Sequence, residues 1–316
     1  MRAFLLRKWQ RKKPEPTTTI SIKRSQDAKS MPRPELPRGE PLDQKQCMLF
    51  GKLSPEVRLL IYEEVLADPQ RLLHFLHVTP GKGRPHKLGH WRCEDMDSMY
   101  LTWQHMCFGV WNEASGRMHR PAYYTNGDLF SILVTCRLMY NTHCALSTKA
   151  NQSNRYREAV NVLYTANQFS FRGATGVLSF RRLVAPDMWQ RLRSVNLSTT
   201  ILTPRRNFIT SRGSFPRESY LDWEDACCAL ATLGELRLLR IEMTIWALFA
   251  FHDINAGTPE PESLISIFEA LKQVHAEVYE VELNVDLPEQ VLDALGNIPF
   301  RILRLKKQYD RKTFPL

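Results

Sequence analysis

The sequence predicts a mixed α/β fold in which a helical N-terminal region precedes a parallel β/α sheet. After Phe169, short β-type runs alternate with helical segments, and that order requires the crossover connections of a parallel sheet. Before Phe169, three apolar segments have helical spacing. With 316 residues, of which 43% are hydrophobic, the chain can bury a sizeable core. We expect a tail over residues 1–46, a helical region over 47–170 and a β/α region over 171–316.

The tail carries most of the positive charge. Residues 1–46 hold 12 Lys and Arg against 5 Asp and Glu, so they contribute +7 of the net charge of +10. Residues 13–42 are rich in Pro, Thr, Ser and charge, a composition that predicts disorder. The cations of Arg7–Lys13 fit a nuclear-import signal, whereas Met1–Lys13 also fits a mitochondrial presequence, a lipid-surface helix or a plain solvated tail. The body is nearly neutral, which argues against nucleic acid as its partner.

The chain lacks the features of a membrane or secreted protein. Its longest apolar run past the N-terminus, near residues 245–251, is far shorter than the about 20 residues that cross a bilayer. Its seven cysteines are odd in number and show no paired framework spacing, and no cleavable signal sequence follows Met1. We expect reduced thiols, a nuclear or cytoplasmic location and no membrane partner.

Residues 55–66 form the best-delimited predicted helix. Ser54 is a good N-cap, Pro55 suits the first helical position, and Asp68-Pro69 ends the helix after Leu66. The apolar residues occupy more than one stripe, so the helix must be covered on two sides. One side faces the core, and the other is covered either by this chain or by a partner.

The segments that follow mix irregular and helical patterns. Residues 71–128 contain Gly, Pro and scattered tryptophans without clean periodicity, which predicts packed loops. Two apolar segments with helical spacing follow at Leu129–Tyr140 and Glu158–Ala166.

The C-terminal region contains four β-type runs with a helical segment between each pair. The first three runs lie about 42 residues apart and the last about 20, which suggests degenerate leucine-rich-repeat-like units. Such a sheet offers a concave face for a partner, although many such sheets are packed on both sides. The runs are Leu192–Leu197, Leu236–Ile241, Val278–Leu283 and Phe300–Leu305, and the helices are Ser219–Leu233, Glu262–Val274 and Pro288–Leu295.

Three motifs together resemble a large filamentous-fungal family of unknown function with an F-box-like N-terminal region. The first is Leu53-Ser54-Pro55-Glu56-Val57-Arg58 with Ile61-Tyr62-Glu63-Glu64-Val65-Leu66. The second is Thr135-Cys136-Arg137, and the third is Leu163-Tyr164 with Asn167-Gln168-Phe169. The resemblance covers roughly residues 47–200 and implies a fold and an adaptor role, but no reaction.

An F-box binds the small adaptor of cullin-RING ubiquitin ligases through such a helix start, and the repeats that follow capture a substrate. Carried onto this chain, the resemblance implies partner-binding residues Leu53, Pro55, Leu59, Leu60, Ile61 and Tyr62. Ser54 replaces the usual proline, and the segment Asn141–Tyr156 interrupts the family pattern. That segment is either a retained intron in the gene model or a genuine loop insertion.

The densest set of potential metal ligands lies between residues 74 and 107. His90 with Cys93 and His105 with Cys107 form two pairs about a dozen residues apart, and tetrahedral zinc takes four such N and S ligands. The spacing is not that of a standard zinc finger. Our interpretation is therefore that these are separate loop and core residues, and we expect no cofactor. His74, His77 and His86 complete the set.

No catalytic motif supports an enzyme. The sequence contains no serine elbow, Walker loop, paired-histidine zincin helix or dinucleotide glycine fingerprint. Cys136 lies in an apolar segment as an inert core thiol, and of the adjacent Cys227 and Cys228 one should face inward. The leading hypothesis is a protein-interaction module. The alternative is a nuclear, nucleic-acid-associated protein that uses the basic tail.

Overall fold

A computed structural model describes residues 52–78, 87–108, 110–112, 117–119, 150–203, 219–247 and 259–309, all of which lie in the compact unit Asp43–Leu316. The basic tail over residues 1–46, the predicted helix Leu129–Tyr140 and Cys136 fall outside these residues. Within them, no helix is long and apolar enough to span a bilayer.

Nine strands lie within the described residues: β1 (Leu72–Val78), β2 (Lys87–Arg92), β3 (Val110–Asn112), β4 (Arg117–His119), β5 (Gln168–Arg172), β6 (Ser194–Thr203), β7 (Leu238–Ala247), β8 (Val278–Leu283) and β9 (Arg301–Arg304). Seven of them form one sheet in the order β2-β1-β5-β6-β7-β8-β9. β2 pairs with β1 in antiparallel fashion, whereas the other six strands run parallel. The predicted mixed α/β class is confirmed.

Seven helices lie within the same residues: α1 (Pro55–Leu66), α2 (Ala150–Ala166), α3 (Gly173–Leu183), α4 (Pro186–Trp189), α5 (Tyr220–Ala231), α6 (Pro261–Leu271) and α7 (Glu289–Leu295). α5, α6 and α7 each connect two neighbouring parallel strands, as the alternating pattern predicts. Their bounds agree with the predicted ones to within three residues.

The strands present an apolar face to the helices and a polar face to the opposite side. On β6, Val195, Leu197 and Ile201 belong to the main core, together with apolar residues of α3, α5 and α6. The intervening Asn196 and Ser198 point to the other face because side chains alternate along a strand. These polar residues are nevertheless buried.

Residues 92–108, here called the cover segment, bury part of the polar face. The Thr102 N–H donates to Glu242 Oε2 at 2.8 Å, and the Trp103 N–H donates to Ser198 Oγ at 3.2 Å. The sheet is therefore packed on both sides at this position. A small apolar cluster completes the packing and consists of Leu101, Trp103, Leu305 and Tyr309.

The prediction of packed loops over residues 71–128 is wrong for β1 and β2. β1 lies inside the sheet, between β2 and β5. Its core-facing residues Leu73 and Phe75 alternate with the buried polar His74, and a histidine at a buried position obscures the apolar pattern of a central strand.

Two further differences concern the helical region. α2 begins at Ala150 and not at Glu158, so the end of the interrupting segment Asn141–Tyr156 belongs to this helix. The sheet also continues across the boundary expected at residue 170, because β1 and β5 pair with each other and β5 pairs with β6.

Candidate functional site

Helix α1 occupies the predicted residues. The Arg58 N–H donates to the Ser54 carbonyl at 3.1 Å, and the Ala67 N–H donates to the Glu63 carbonyl at 3.0 Å, which closes the last turn. Pro55 stands at the start, where a missing N–H costs nothing. Ser54 contributes extended backbone but no side-chain cap.

An ion pair docks α1 onto α2. Arg58 Nε and Nη2 donate to the two carboxylate oxygens of Glu158, each at 3.2 Å, and Nη1 donates to the Leu53 carbonyl at 2.9 Å. Arg58 is buried, so the forked geometry satisfies a guanidinium that water reaches poorly. The pair fixes which side of α1 faces the protein.

The opposite side of α1 carries exposed apolar residues. Val57, Leu60 and Ile61 are spaced three and four residues apart and so share one side of the helix. Leu60 is 64% exposed and Val57 is 42% exposed, whereas Ile61 is half-buried. We call these three residues the α1 exposed face. Leu59 and Val65 are partly exposed at its flanks.

The structure divides the six residues that the F-box resemblance implies for partner binding. Leu60 is open to solvent, and Leu59 is exposed to a lesser degree. Pro55 is exposed at the helix start, and Leu53 and Ile61 are half-buried. Tyr62 is fully buried in the main core, so its assignment to partner binding is corrected. Its side chain points to the same side as Arg58 because the two are four residues apart.

A second candidate site lies under the cover segment. His74 projects from β1 onto the polar face, and Cys93 follows β2, where its N–H donates to the Leu72 carbonyl at 2.7 Å. His105 and Cys107 come from two short 3₁₀ turns. All four side chains are at most 1% exposed.

Short distances link His74, Cys93 and His105 to one another, and Cys107 is joined to the group through Cys93. Cys93 Sγ lies 3.3 Å from His105 Nδ1 and 4.0 Å from Cys107 Sγ. The ligand atoms of His74, Cys93 and His105 all lie within 4.8 Å of one another. The rings of His74 and His105 meet edge to face, with centroids 5.9 Å apart. We call these four residues the His/Cys cluster.

Burial and hydrogen bonding set the protonation of the cluster. Burial lowers the pKa of His105 to about 4 and also lowers the pKa of His74, so both imidazoles are neutral at neutral pH. The contact between the two sulfurs lowers the pKa of Cys107 and raises that of Cys93. The Glu94 N–H also donates to Cys107 Sγ, at 3.5 Å. Neutral imidazoles and a thiolate are the forms that bind soft metal ions.

The cluster contains three of the four metal ligands considered from the sequence, Cys93, His105 and Cys107. The fourth, His90, lies on β2 with a side chain outside the described part of the chain. His74 is the fourth residue of the cluster, and no spacing in the sequence favours it over the other histidines. The interpretation as separate loop and core residues does not hold for these three, because the fold brings them together.

A buried carboxylate anchors the cover segment at Thr102, between Cys93 and His105. Glu242 Oε1 accepts a hydrogen bond from Thr102 Oγ1 at 2.7 Å and pairs with Lys307 Nζ at 2.5 Å, while Oε2 accepts from Ser198 Oγ at 2.9 Å. Burial opposes ionisation, but Lys307 and Thr102 outweigh it, so the pKa of Glu242 is lowered. The carboxylate is therefore charged at neutral pH.

The adjacent cysteines of α5 follow the expected division. Cys227 is buried in the main core, and Cys228 is exposed.

One family model matches residues 42–297, more than half of the chain, and its description is domain of unknown function (DUF7730). The chain therefore belongs to the DUF7730 family. Neither a curated protein nor a solved structure shows a significant match.

Proposed function

We propose that this member of the DUF7730 family is a protein-interaction module that binds a protein partner through the α1 exposed face. The observation that supports this proposal is the division of residues on the helix, which buries Arg58 and leaves Leu60 64% exposed. Full burial of a leucine side chain contributes about 1.5–3 kcal/mol. A partner that covers Leu60 gains this free energy. Val57 and Ile61 extend Leu60 into a continuous apolar strip.

The partner that we propose is the small adaptor of cullin-RING ubiquitin ligases, so that the chain acts as a substrate adaptor. This finer proposal is supported by the resemblance of Leu53–Leu66 to the start of an F-box and by the exposure of that helix in the fold. The Arg58–Glu158 pair supports it further, because a docked helix presents its exposed residues in a fixed orientation. The proposal includes no enzymatic activity.

The test compares two leucines that are equally exposed on helices. The full chain is used as bait in an extract of a filamentous fungus, as wild type, as Leu60→Asp and as Leu221→Asp, and the captured proteins are quantified by mass spectrometry. Leu221 on α5 is also 64% exposed, so its variant controls for placing a charge on a helix surface. Circular dichroism confirms that each variant is folded.

We expect the ligase adaptor and a cullin to accompany wild type and Leu221→Asp, and to fall at least about tenfold with Leu60→Asp, the effect of removing one central interface anchor. Capture of a different protein with the same dependence on Leu60 supports the interaction module and contradicts the ligase assignment. If no captured protein depends on Leu60, both are wrong.

The alternative function, nucleic-acid association through the basic tail, rests on residues 1–46, which lie outside the described part of the chain. A binding constant for DNA or RNA that falls steeply with salt, and that loses this dependence when residues 1–46 are deleted, supports the alternative.

A further inference from the structure

We propose that His74, Cys93, His105 and Cys107 bind one structural Zn²⁺ ion that holds the cover segment against β1. The site is independent of the α1 exposed face and of any partner.

The donor set is the first argument. Two cysteine sulfurs and two imidazole nitrogens form the Cys₂His₂ combination of structural zinc sites, whereas magnesium and calcium require oxygen ligands. No carboxylate belongs to the metal-ligand group found among the described residues. The chemistry of the cluster therefore selects a soft or borderline ion that prefers tetrahedral coordination.

The distances between donor atoms are the second argument. In a tetrahedral zinc site with ordinary bond lengths, sulfur and nitrogen ligands lie about 3.5 Å apart and two sulfurs about 3.8 Å apart. Cys93 Sγ lies 3.3 Å from His105 Nδ1 and 4.0 Å from Cys107 Sγ. These two distances are close to those of a coordination shell. Cys107 lies outside the group of His74, Cys93 and His105 whose ligand atoms are within 4.8 Å of one another, so its side chain must turn toward the ion to complete the shell.

The burial of polar atoms is the third argument. His74, Cys93, His105 and Cys107 are at most 1% exposed, so water does not solvate their nitrogen and sulfur atoms. Two imidazoles in an enclosed site are costly unless their ring nitrogens are bound, and a metal ion binds one nitrogen of each ring.

The enclosure of the cluster decides the role of the metal. All four ligands come from the protein and are at most 1% exposed, so a bound zinc has no open position for water or substrate. The ligands come from β1, from the end of β2 and from two 3₁₀ turns. The ion therefore joins the cover segment to β1. Its binding free energy therefore stabilises the fold.

Metal analysis of the full chain, produced without a histidine tag in zinc-supplemented cells, tests the proposal. We expect one zinc per chain in wild type and less than about a tenth of that in Cys93→Ser and Cys107→Ser, since each loses a ligand. Cys228→Ser and His275→Ala are the matched controls, because Cys228 and His275 are exposed and lie outside the cluster. Both should retain the zinc of wild type.

A measurement on the wild-type chain tests the proposal even if the variants fail to fold. X-ray absorption at the zinc edge should give two sulfurs at about 2.3 Å and two nitrogens at about 2.0–2.1 Å. His105→Cys, which exchanges one zinc ligand for another, should keep the metal. Three results would overturn the proposal. They are a folded wild type that remains metal-free after incubation with zinc, a coordination shell of oxygens, and a Cys93–Cys107 disulfide in chain purified under reducing conditions.

Discussion

Glu242 is bound by three residues on the polar face. Its carboxylate accepts hydrogen bonds from the backbone and side chain of Thr102 and from Ser198, and it pairs with Lys307. Glu242 is 2% exposed, so the pair is shielded from solvent on the carboxylate side. This one residue therefore holds both the cover segment and the C-terminal segment against β7.

We expect Glu242→Gln to lower the free energy of unfolding by about 2–4 kcal/mol, because Lys307 then keeps its charge without its carboxylate partner. Chemical denaturation measures the change. Glu280→Gln is the matched control, because its partner Arg240 has a side chain that is 42% exposed and such pairs contribute about 0–1 kcal/mol. Equal losses in the two variants would show that the anchoring role assigned to Glu242 is wrong.

The same pair gives a pH dependence of known sign. The pKa of Glu242 is lower in the folded chain than its ordinary value of 4.5, so its stabilisation is present above about pH 4.5 and is lost as the pH falls through the folded pKa. The difference in unfolding free energy between wild type and Glu242→Gln should thus be constant near neutral pH and shrink in acid. A difference that increases on acidification contradicts the assignment.

At the scale of single elements, α7 ends at a residue that only glycine suits. Gly296 has φ 61° and ψ −132°, a conformation that strains any residue with a Cβ. No atom lies within 4 Å of a Cβ added there, so backbone strain alone decides the cost. The short connection from α7 to β9 depends on this turn.

We expect Gly296→Ala to lower the free energy of unfolding by about 1–3 kcal/mol through this strain. Gly234→Ala is its control, since Gly234 has an ordinary φ and equally open surroundings. That variant should be neutral or slightly stabilising, because alanine reduces the entropy of the unfolded chain. Thermal unfolding of the two variants provides the comparison, and a Gly296→Ala chain as stable as Gly234→Ala contradicts the prediction.

The sequence predicted well those helices and strands whose apolar residues recur with one period because they face one apolar core. α1, α5, α6 and α7 have clear ends, and the runs at β6, β7, β8 and β9 lie on alternating or continuous apolar patterns. β1 was missed because its two faces meet different surroundings, an apolar core on one side and the His/Cys cluster on the other. Periodicity detects burial in apolar surroundings, and it cannot detect burial in polar ones.

The candidate sites, like the secondary-structure elements, were predicted only in part. Five of the six residues implied for partner binding fall on α1, and Leu53 precedes it. The sequence could not separate Tyr62 from Leu60, because both lie in a helix that is apolar on more than one side. For the His/Cys cluster, the paired spacing singled out Cys93, His105 and Cys107 together with His90, but the interpretation from the sequence was that these are separate residues. His74 could not be paired with them, because a strand neighbour in the sheet is set by the fold and not by spacing along the chain.

At the scale of the whole described body, the two faces of the sheet are stabilised differently. The helix-facing side is held by one large apolar core. The polar side is held by localised contacts of the cover segment. Cys93, His105 and Cys107 of the His/Cys cluster lie toward its two ends, Thr102 between them bonds Glu242, and Met99 and Leu101 bond Gln308. Local anchors can be released one at a time, whereas an apolar core unfolds as a unit.

Removing the proposed zinc should therefore loosen the cover segment and leave the main core closed. We expect a strong chelator to speed hydrogen exchange of the Gln104, His105 and Phe108 amides at least about tenfold, because their bonds lie in the 3₁₀ turns that supply two of the ligands. Amides of α1 and β7 serve as internal controls and should exchange as before. Mass spectrometry of the exchanged full chain makes the comparison, and adding zinc back should restore slow exchange. Uniform acceleration over the whole chain would mean that the metal supports the entire fold, and no acceleration anywhere would mean that the cover segment is held without it.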